Sequence, residues 1–196
     1  MIPLKPDTLL MFSGGLDSTG VFWQFVQNKQ KIHVHHMHLD NIENRAEAEK
    51  KAVSDILNYM KEAGGEFIYS ESFHKYPAFG NKFIWDGDLS SFMAGTICEA
   101  LPDIKKVAYG RTASDNANAA LVGRIEKANK IFGALCDATK IYPVENLTKR
   151  EIYDMLPEEL QKLFWSCRKP IYRKDKIIPC NRCKTCREME RVGINK

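Results

Sequence analysis

The sequence predicts an α/β protein built on a parallel five-stranded sheet with helices on both faces, followed by a C-terminal helical segment that binds metal. Three observations predict it. Short apolar runs alternate with helical periodicities along the 196 residues, which is the pattern of βαβ units. A glycine turn, Ser13-Gly14-Gly15, separates the first apolar run from the first helical pattern. Four of the six cysteines, Cys167, Cys180, Cys183 and Cys186, cluster late. The chain is read as one α/β domain over 1–150 with the segment 151–196 packed on it.

The elements follow in order. Thr8-Leu9-Leu10-Met11-Phe12 is the first strand, and Gly20 to Val26 continues a helix that begins after the turn. Lys31 to Leu39 is the second strand. Alternation puts His36 and His38 on one face with Val34, and His33 and His35 on the other with Met37 and Leu39. Ala52, Val53, Ile56, Leu57 and Met60 recur at helical spacing within a helix read from Asn41 to Gly64. Glu66 to Ser70 is a third strand, and Phe73 to Asp86 is irregular, either a substrate loop or a packed connection. Asp88 to Ala100 is a helix and Ile104 to Gly110 the fourth strand. A helix follows from Ser114 to Cys136, capped by Ser114 or Asp115. Ile141 to Val144 is the fifth strand. Thr148-Lys149-Arg150-Glu151 opens a helix as a capping box, and Pro157 starts another that runs through Phe164.

At 44 % hydrophobic residues the composition is that of a soluble globular protein. No apolar run approaches the roughly 20 residues that span a bilayer, and the N-terminus lacks the regions of a signal peptide. A cytoplasmic protein without membrane attachment is expected. The net charge of +4 divides into −2 over residues 1–148 and +6 over 149–196. The basic end is either a solvated surface around a metal site or a contact for an anionic partner; nucleic acid is the less favoured of these. Cys98 and Cys136, in mostly apolar helical surroundings, are read as small core residues.

Strand, glycine turn and helix N-terminus together make an anion site. Paired glycines let the backbone expose its N–H groups, and a helix start adds unpaired donors and the positive end of the dipole. No lysine follows the glycines, so this is not a Walker A loop. The third glycine of a dinucleotide fingerprint is absent too. In a parallel sheet the loop at Ser13, the end of the second strand near Leu39 and Gly110-Arg111 would lie along one edge.

Cys180-x-x-Cys183-x-x-Cys186, with Cys167 thirteen residues earlier, suits tetrahedral zinc. Neighbouring Arg168, Lys169, Arg182, Lys184 and Arg187 would offset the charge of four thiolates. An iron–sulfur cluster is the rival; its bacterial run places a further Cys before Pro, and none follows Cys186.

Ser13-Gly14-Gly15-Leu16-Asp17-Ser18 resembles the pyrophosphate loop of the N-type ATP pyrophosphatases. With Trp165-Ser166-Cys167, the Cys180–Cys186 run, and Ile141-Tyr142-Pro143-Val144 with Leu147-Thr148-Lys149, the chain resembles the 7-cyano-7-deazaguanine synthase family. The resemblance implies an adenine nucleotide alpha hydrolase-like fold and ATP, Mg²⁺ and Zn²⁺ as cofactors. It implies a ligase that adenylates the carboxylate of a deazaguanine-type base and aminates it with ammonia to the nitrile, releasing AMP and pyrophosphate, in a chain that is often dimeric. Met11, Phe12, Ser13, Gly14, Gly15, Leu16, Asp17, Ser18, Thr19, Leu39 and Gly110 would meet ATP. Asp17 would hold Mg²⁺ or cap its helix. Ser13, Asp17 and Arg111 are the catalytic candidates, Arg111 and Asp115 the substrate candidates, and Cys167, Cys180, Cys183 and Cys186 the zinc ligands. The segment after Gly110 and the residues Asp40 to Arg45 depart from that family's pattern. The alternatives are a tRNA-modifying enzyme of the same superfamily and a non-catalytic, zinc-stabilised nucleic-acid-binding module.

Overall fold

The computed structural model describes residues 5–76, 85–174 and 176–194. Its elements are β1 (Thr8–Met11), α1 (Leu16–Gln27), β2 (Ile32–Asp40), α2 (Ala46–Glu62), β3 (Phe67–Lys75), α3 (Asp86–Ala100), β4 (Lys106–Ala108), α4 (Ala113–Asn116), α5 (Ala119–Gly133), β5 (Thr139–Ile141), α6 (Lys149–Asp154), α7 (Glu158–Gln161), β6 (Ile171–Arg173), β7 (Lys176–Ile178) and α8 (Lys184–Arg191). β1 to β5 form one parallel sheet in the order β3-β2-β1-β4-β5. The predicted fold class holds. The order reverses between β1 and β4, so the loops leaving those two strands splay apart and open a crevice at their carboxyl ends.

Side-chain alternation along the strands builds two cores. Leu10, Phe12, Val34 and Ala108 face one way and pack with residues of α1, α2, α6 and α7. Leu9, Met11, Met37, Leu39 and Val107 face the other, with residues of α3 and α5. Cys98 is 4 % exposed in the second core and Cys136 packs against it. Met189 and Ile194, at the C-terminal end, are buried in the first core. The tail is thus held by the same apolar contacts as the sheet.

Several boundaries differ from expectation, each for a local reason. α2 begins at Ala46, not Asn41, because Asn41 accepts the Glu43 N–H at 2.9 Å and makes a turn that Asn44 closes at φ +52°. β3 runs on to Lys75 because all nine residues of β2 pair with it. Histidine–serine bridges tie the two strands: Ser70 Oγ lies 2.7 Å from His33 Nε2 and 2.8 Å from His35 Nδ1. Ser72 Oγ lies 3.0 Å from His35 Nε2 and 2.7 Å from His74 Nε2. The irregular reading of Phe73 to Asp86 fails at both ends, since Phe73–Lys75 is strand and Asp86 opens α3; positions 77–84 lie outside the described residues. The single helix expected over Ser114 to Cys136 is two, because Asn118 caps α5 by accepting the Leu121 N–H at 3.3 Å. Thr112, not Ser114 or Asp115, is the N-cap of α4, with Asp115 completing its capping box. The Thr148–Glu151 capping box forms as expected.

Candidate functional site

The turn after β1 is wound tightly on itself. Gly14 sits at φ +72°, and a Cβ there would stand 2.9 Å from Val53 Cγ2 of α2. Gly15 is the N-cap of α1. Thr19 Oγ1 donates to the Gly15 carbonyl at 2.8 Å and Ser18 Oγ to the same carbonyl at 3.2 Å. Ser13 Oγ accepts the Gly15 N–H at 3.3 Å and lies 3.1 Å from Ser18 Oγ. β4 closes in from the side: a Cβ on Gly110 would fall 2.6 Å from the Ser18 nitrogen, so only glycine lets that strand end approach the loop.

Asp17 does not cap α1. Its Oδ2 accepts from Lys149 Nζ at 2.5 Å, while Oδ1 is buried with no hydrogen-bond partner. Lys149 is the first residue of α6 and 8 % exposed. Burial pushes the Asp17 carboxyl up, and Lys149 only partly opposes it. Burial alone would push Lys149 down, but Asp17 outweighs it and holds the ammonium above its ordinary range. Burial and Lys149 thus pull the Asp17 carboxyl in opposite directions, while Asp17 keeps the lysine charged at the mouth of the loop.

The loop opens into a cleft of about 660 Å³. Met11, Phe12, Ser13, Gly15, Leu16, Asp17, Ser18, Leu39, Gly110 and Asp115 line it, as does Lys149. Gly14 and Thr19 stand behind the loop. Arg111 does not line the cleft: its guanidinium lies over the Tyr142 ring at 5.1 Å, with Nε buried and without a partner. Asp115 is drawn back by the Thr112 N–H, which donates to Oδ2 at 3.0 Å.

The opposite wall comes from the tail. Trp165 N donates to the Gly14 carbonyl at 2.8 Å, and Leu16 N donates to Ser166 Oγ at 3.4 Å. Arg168 binds Glu43 through two parallel bonds, Nε to Oε1 at 2.7 Å and Nη2 to Oε2 at 2.6 Å, and reaches Asp86 at 2.9 Å. Arg45 lies among Glu43, Glu49 and Asp86 and bonds the last two. Burial pushes Glu49 up to about 7 despite Arg45 beside it. Sequence reasoning missed this network. Its members come from three separated segments, 43–49, 86 and 168, and only the Arg45–Glu49 pair has a local helical spacing.

The four late cysteines converge: their Sγ atoms lie within 4.8 Å of one another. Cys180 N donates to Cys167 Sγ at 3.2 Å and Cys183 N to Cys180 Sγ at 3.3 Å, the geometry of a metal knuckle. Asn181 takes φ +54° in that turn, and Cys183 is the N-cap of α8. Burial raises the Cys180 thiol, but the N–H groups of Arg182 and Cys183 outweigh it and bring it to about 6. This donor set fits a single soft metal ion. Around a tetrahedral centre with bonds of ~2.3 Å the sulfurs stand ~3.8 Å apart. The metal groups found among the described residues do not include the β2 histidines.

No family model and no curated protein sequence matches the chain. Among solved structures it is similar to the U34-tRNA thiolase NcsA from Methanococcus maripaludis, which carries a [4Fe-4S] cluster, with TM-score 0.54, 15 % identity and 97 % of this chain covered. It spans 65 % of the thiolase's length. A weaker likeness is to NMN synthetase from Francisella tularensis, with TM-score 0.45, 13 % identity, and 81 % of this chain and 65 % of that one covered. At these identities the likeness to the thiolase is one of fold.

Proposed function

We propose that the chain is an ATP-dependent enzyme that splits ATP between the α and β phosphates and adenylates an acceptor oxygen. The acceptor proposed is the carboxylate of a deazaguanine-type base. The carboxylate oxygen attacks the α-phosphorus and pyrophosphate leaves; ammonia then attacks the acyl carbon and AMP leaves, giving an amide. A second adenylation, on the amide oxygen, and loss of AMP and the nitrogen-borne protons give the nitrile. The observation that carries the reading is the union, in one cleft, of the Ser13–Ser18 loop, the Asp17–Lys149 pair and the wall made by Trp165, Ser166 and Arg168.

Each residue has a job in this reading. The hydroxyls of Ser13 and Ser18 and the Gly15 N–H would bind the leaving pyrophosphate, exchanging their long bonds within the loop for bonds to phosphate oxygens. Donors fixed before the reaction stabilise charge as it develops. Lys149 would neutralise a phosphate oxygen, and the bare Asp17 Oδ1 would hold Mg²⁺, which would supply positive charge against the phosphates. Arg111 has no part in binding the acceptor, because Tyr142 holds it away from the cleft. Lys184, at the cleft rim, takes over the acceptor carboxylate. The close set of four sulfurs supports one zinc ion in a structural role, since a cubane spreads its thiolates over separate irons.

The test is pyrophosphate release and AMP formation with ATP, Mg²⁺, ammonia and 7-carboxy-7-deazaguanine, with the product weighed by mass spectrometry. Ser13→Ala should lower AMP formation at least tenfold in a folded protein; unchanged turnover would sink the assignment. A second reading, modification of a base within RNA, is favoured by the fold likeness to a tRNA thiolase. Pyrophosphate release with RNA and none with the free acid would select it.

A further inference from the structure

Residues 168–187 contain eight Lys or Arg and a single acid, Asp175. The structure gathers these charges. Because Cys167 meets Cys180, Cys183 and Cys186 within 4.8 Å, their neighbours Lys169, Arg182, Lys184 and Arg187 surround one centre. The β6–β7 hairpin adds Arg173 and Lys176, paired across it, and Lys174. Arg168 is the one member turned inward, onto Glu43 and Asp86. The other seven are exposed and form no ion pair among the described residues. Within this stretch Asp175 is the one acid and Glu188 and Glu190 follow at its edge, whereas a surface evolved only for solubility interleaves both signs evenly.

Two further observations give the surface a direction. Tyr172 Oη donates to the Asn44 carbonyl at 2.7 Å and fixes the hairpin beside the turn that carries Glu43 and Arg45. Tyr172 remains 40 % exposed, next to Ile171 at 37 %. Lys184 lies on the cleft rim itself. Cations and an open aromatic ring thus lead from the hairpin to the cleft.

We propose that the β6–β7 hairpin and the metal knuckle form a docking surface for an unpaired stretch of RNA, with phosphates on the seven cations and a base stacked on Tyr172. Single strands expose both groups at once, whereas a duplex hides its base faces. A lipid surface is disfavoured, because the exposed apolar area of the hairpin is limited to Ile171 and Tyr172. Binding rests on charge and exposure alone. That the docked strand delivers a base to the cleft rests on the adenylation reading.

The experiment is fluorescence anisotropy of the full, metal-loaded chain with a labelled RNA hairpin carrying an unpaired loop, against duplex RNA, the matching single-stranded DNA and anionic lipid vesicles. With five to seven phosphates engaged, log K should fall against log salt with a slope of about −3.5 to −5. Each contact contributes about 0.7 log unit at 0.1 M salt. The triple variant Arg173→Gln, Lys174→Gln, Lys176→Gln should therefore bind about a hundredfold more weakly and lose ~2 from the slope. Tyr172→Ala should weaken the loop RNA at least threefold and leave the duplex unaffected. Unaltered metal content and unfolding midpoint would certify the variants. Equal binding by the triple variant, a preference for duplex or for DNA, or binding to vesicles but not to RNA would overturn the proposal. Pyrophosphate release with the free acid, measured on the triple variant, reads the adenylation separately.

Discussion

The Asp17–Lys149 pair gives a test that separates what holds the fold from the proposed handling of ATP. Side-chain exposure is 24 % for Asp17 and 8 % for Lys149, so the pair is largely dry. Removing one partner of a buried pair costs ~3–5 kcal/mol, because the other charge is stranded. The partial exposure of Asp17 places Asp17→Asn at the low end, ~3 kcal/mol, or about 6–12 °C in Tm for a chain of this size. Lys149→Met should cost less, ~1–2 kcal/mol, because burial already pushes the Asp17 carboxyl up and it takes a proton when left alone. The double variant strands neither charge. It should regain ~2 kcal/mol over the sum of the single losses, read as a coupling energy from urea midpoints. AMP formation should stay low in all three. Two results would refute the reasoning: additive stability losses would mean that the pair carries no energy, and recovery of turnover in the double variant would mean that it plays no part in ATP chemistry.

Three other outcomes follow from the same geometry. Elemental analysis should find one metal ion per chain, and Cys183→Ala should lose it and lower the unfolding midpoint, since the tail shares the first core; a metal-free wild type of equal stability would contradict this. Gly110→Ala should separate β4 from the loop, because the new methyl would stand 2.6 Å from the Ser18 nitrogen, and should raise the KM for ATP more than tenfold; a KM within twofold of wild type would show that the contact is dispensable. Acid should destabilise the fold. Burial depresses His35 and His36 to about 4, so their stabilising contribution is complete above pH 6.5 and is lost as pH falls toward 4. Glu49, raised to about 7, works the other way over pH 7 to 4.5. Two protons against one leave a net loss of ~1.4 kcal/mol per pH unit between 6.5 and 4.5, steepened by His33 and His74, whose imidazoles burial also depresses, and opposed by Asp17, whose carboxyl burial raises. Urea midpoints at pH 7, 6 and 5 would measure it, and a flat profile would exclude it.

Features governed by neighbours in sequence were legible before the structure. The Ser13–Thr19 turn depends on glycine freedom and a helix start within one stretch. The β2 faces follow from alternation, and the cysteine cluster from two short gaps. Features governed by distant partners were not. Asp17 looks like a cap in sequence, and only the fold brings Lys149, 132 positions away, to its oxygen. Arg111, adjacent to Gly110, looked well placed for substrate, yet the backbone turns its side chain onto Tyr142. The third strand looked complete at Ser70, and its continuation to Lys75 shows only once β2 pairs along it and His35 bonds Ser72. The β6–β7 hairpin was hidden for the opposite reason: its charge density masks a pattern only three residues long on each side.

The tail joins the glycine loop and the cysteine cluster into one structural unit. Trp165 and Ser166 bond the backbone of Gly14 and Leu16, while the adjoining Cys167 is fixed among the other three cysteines. One short segment therefore touches the glycine turn on one side and the cysteine cluster on the other. Arg168 adds a third attachment, to Glu43 and Asp86 across the cleft. A disturbance of the cysteine cluster must travel to the loop through these backbone bonds, and no flexible linker intervenes to absorb it. On this geometry a metal held by the four cysteines would serve the cleft by rigidity, keeping Trp165 and Ser166 against the glycine turn.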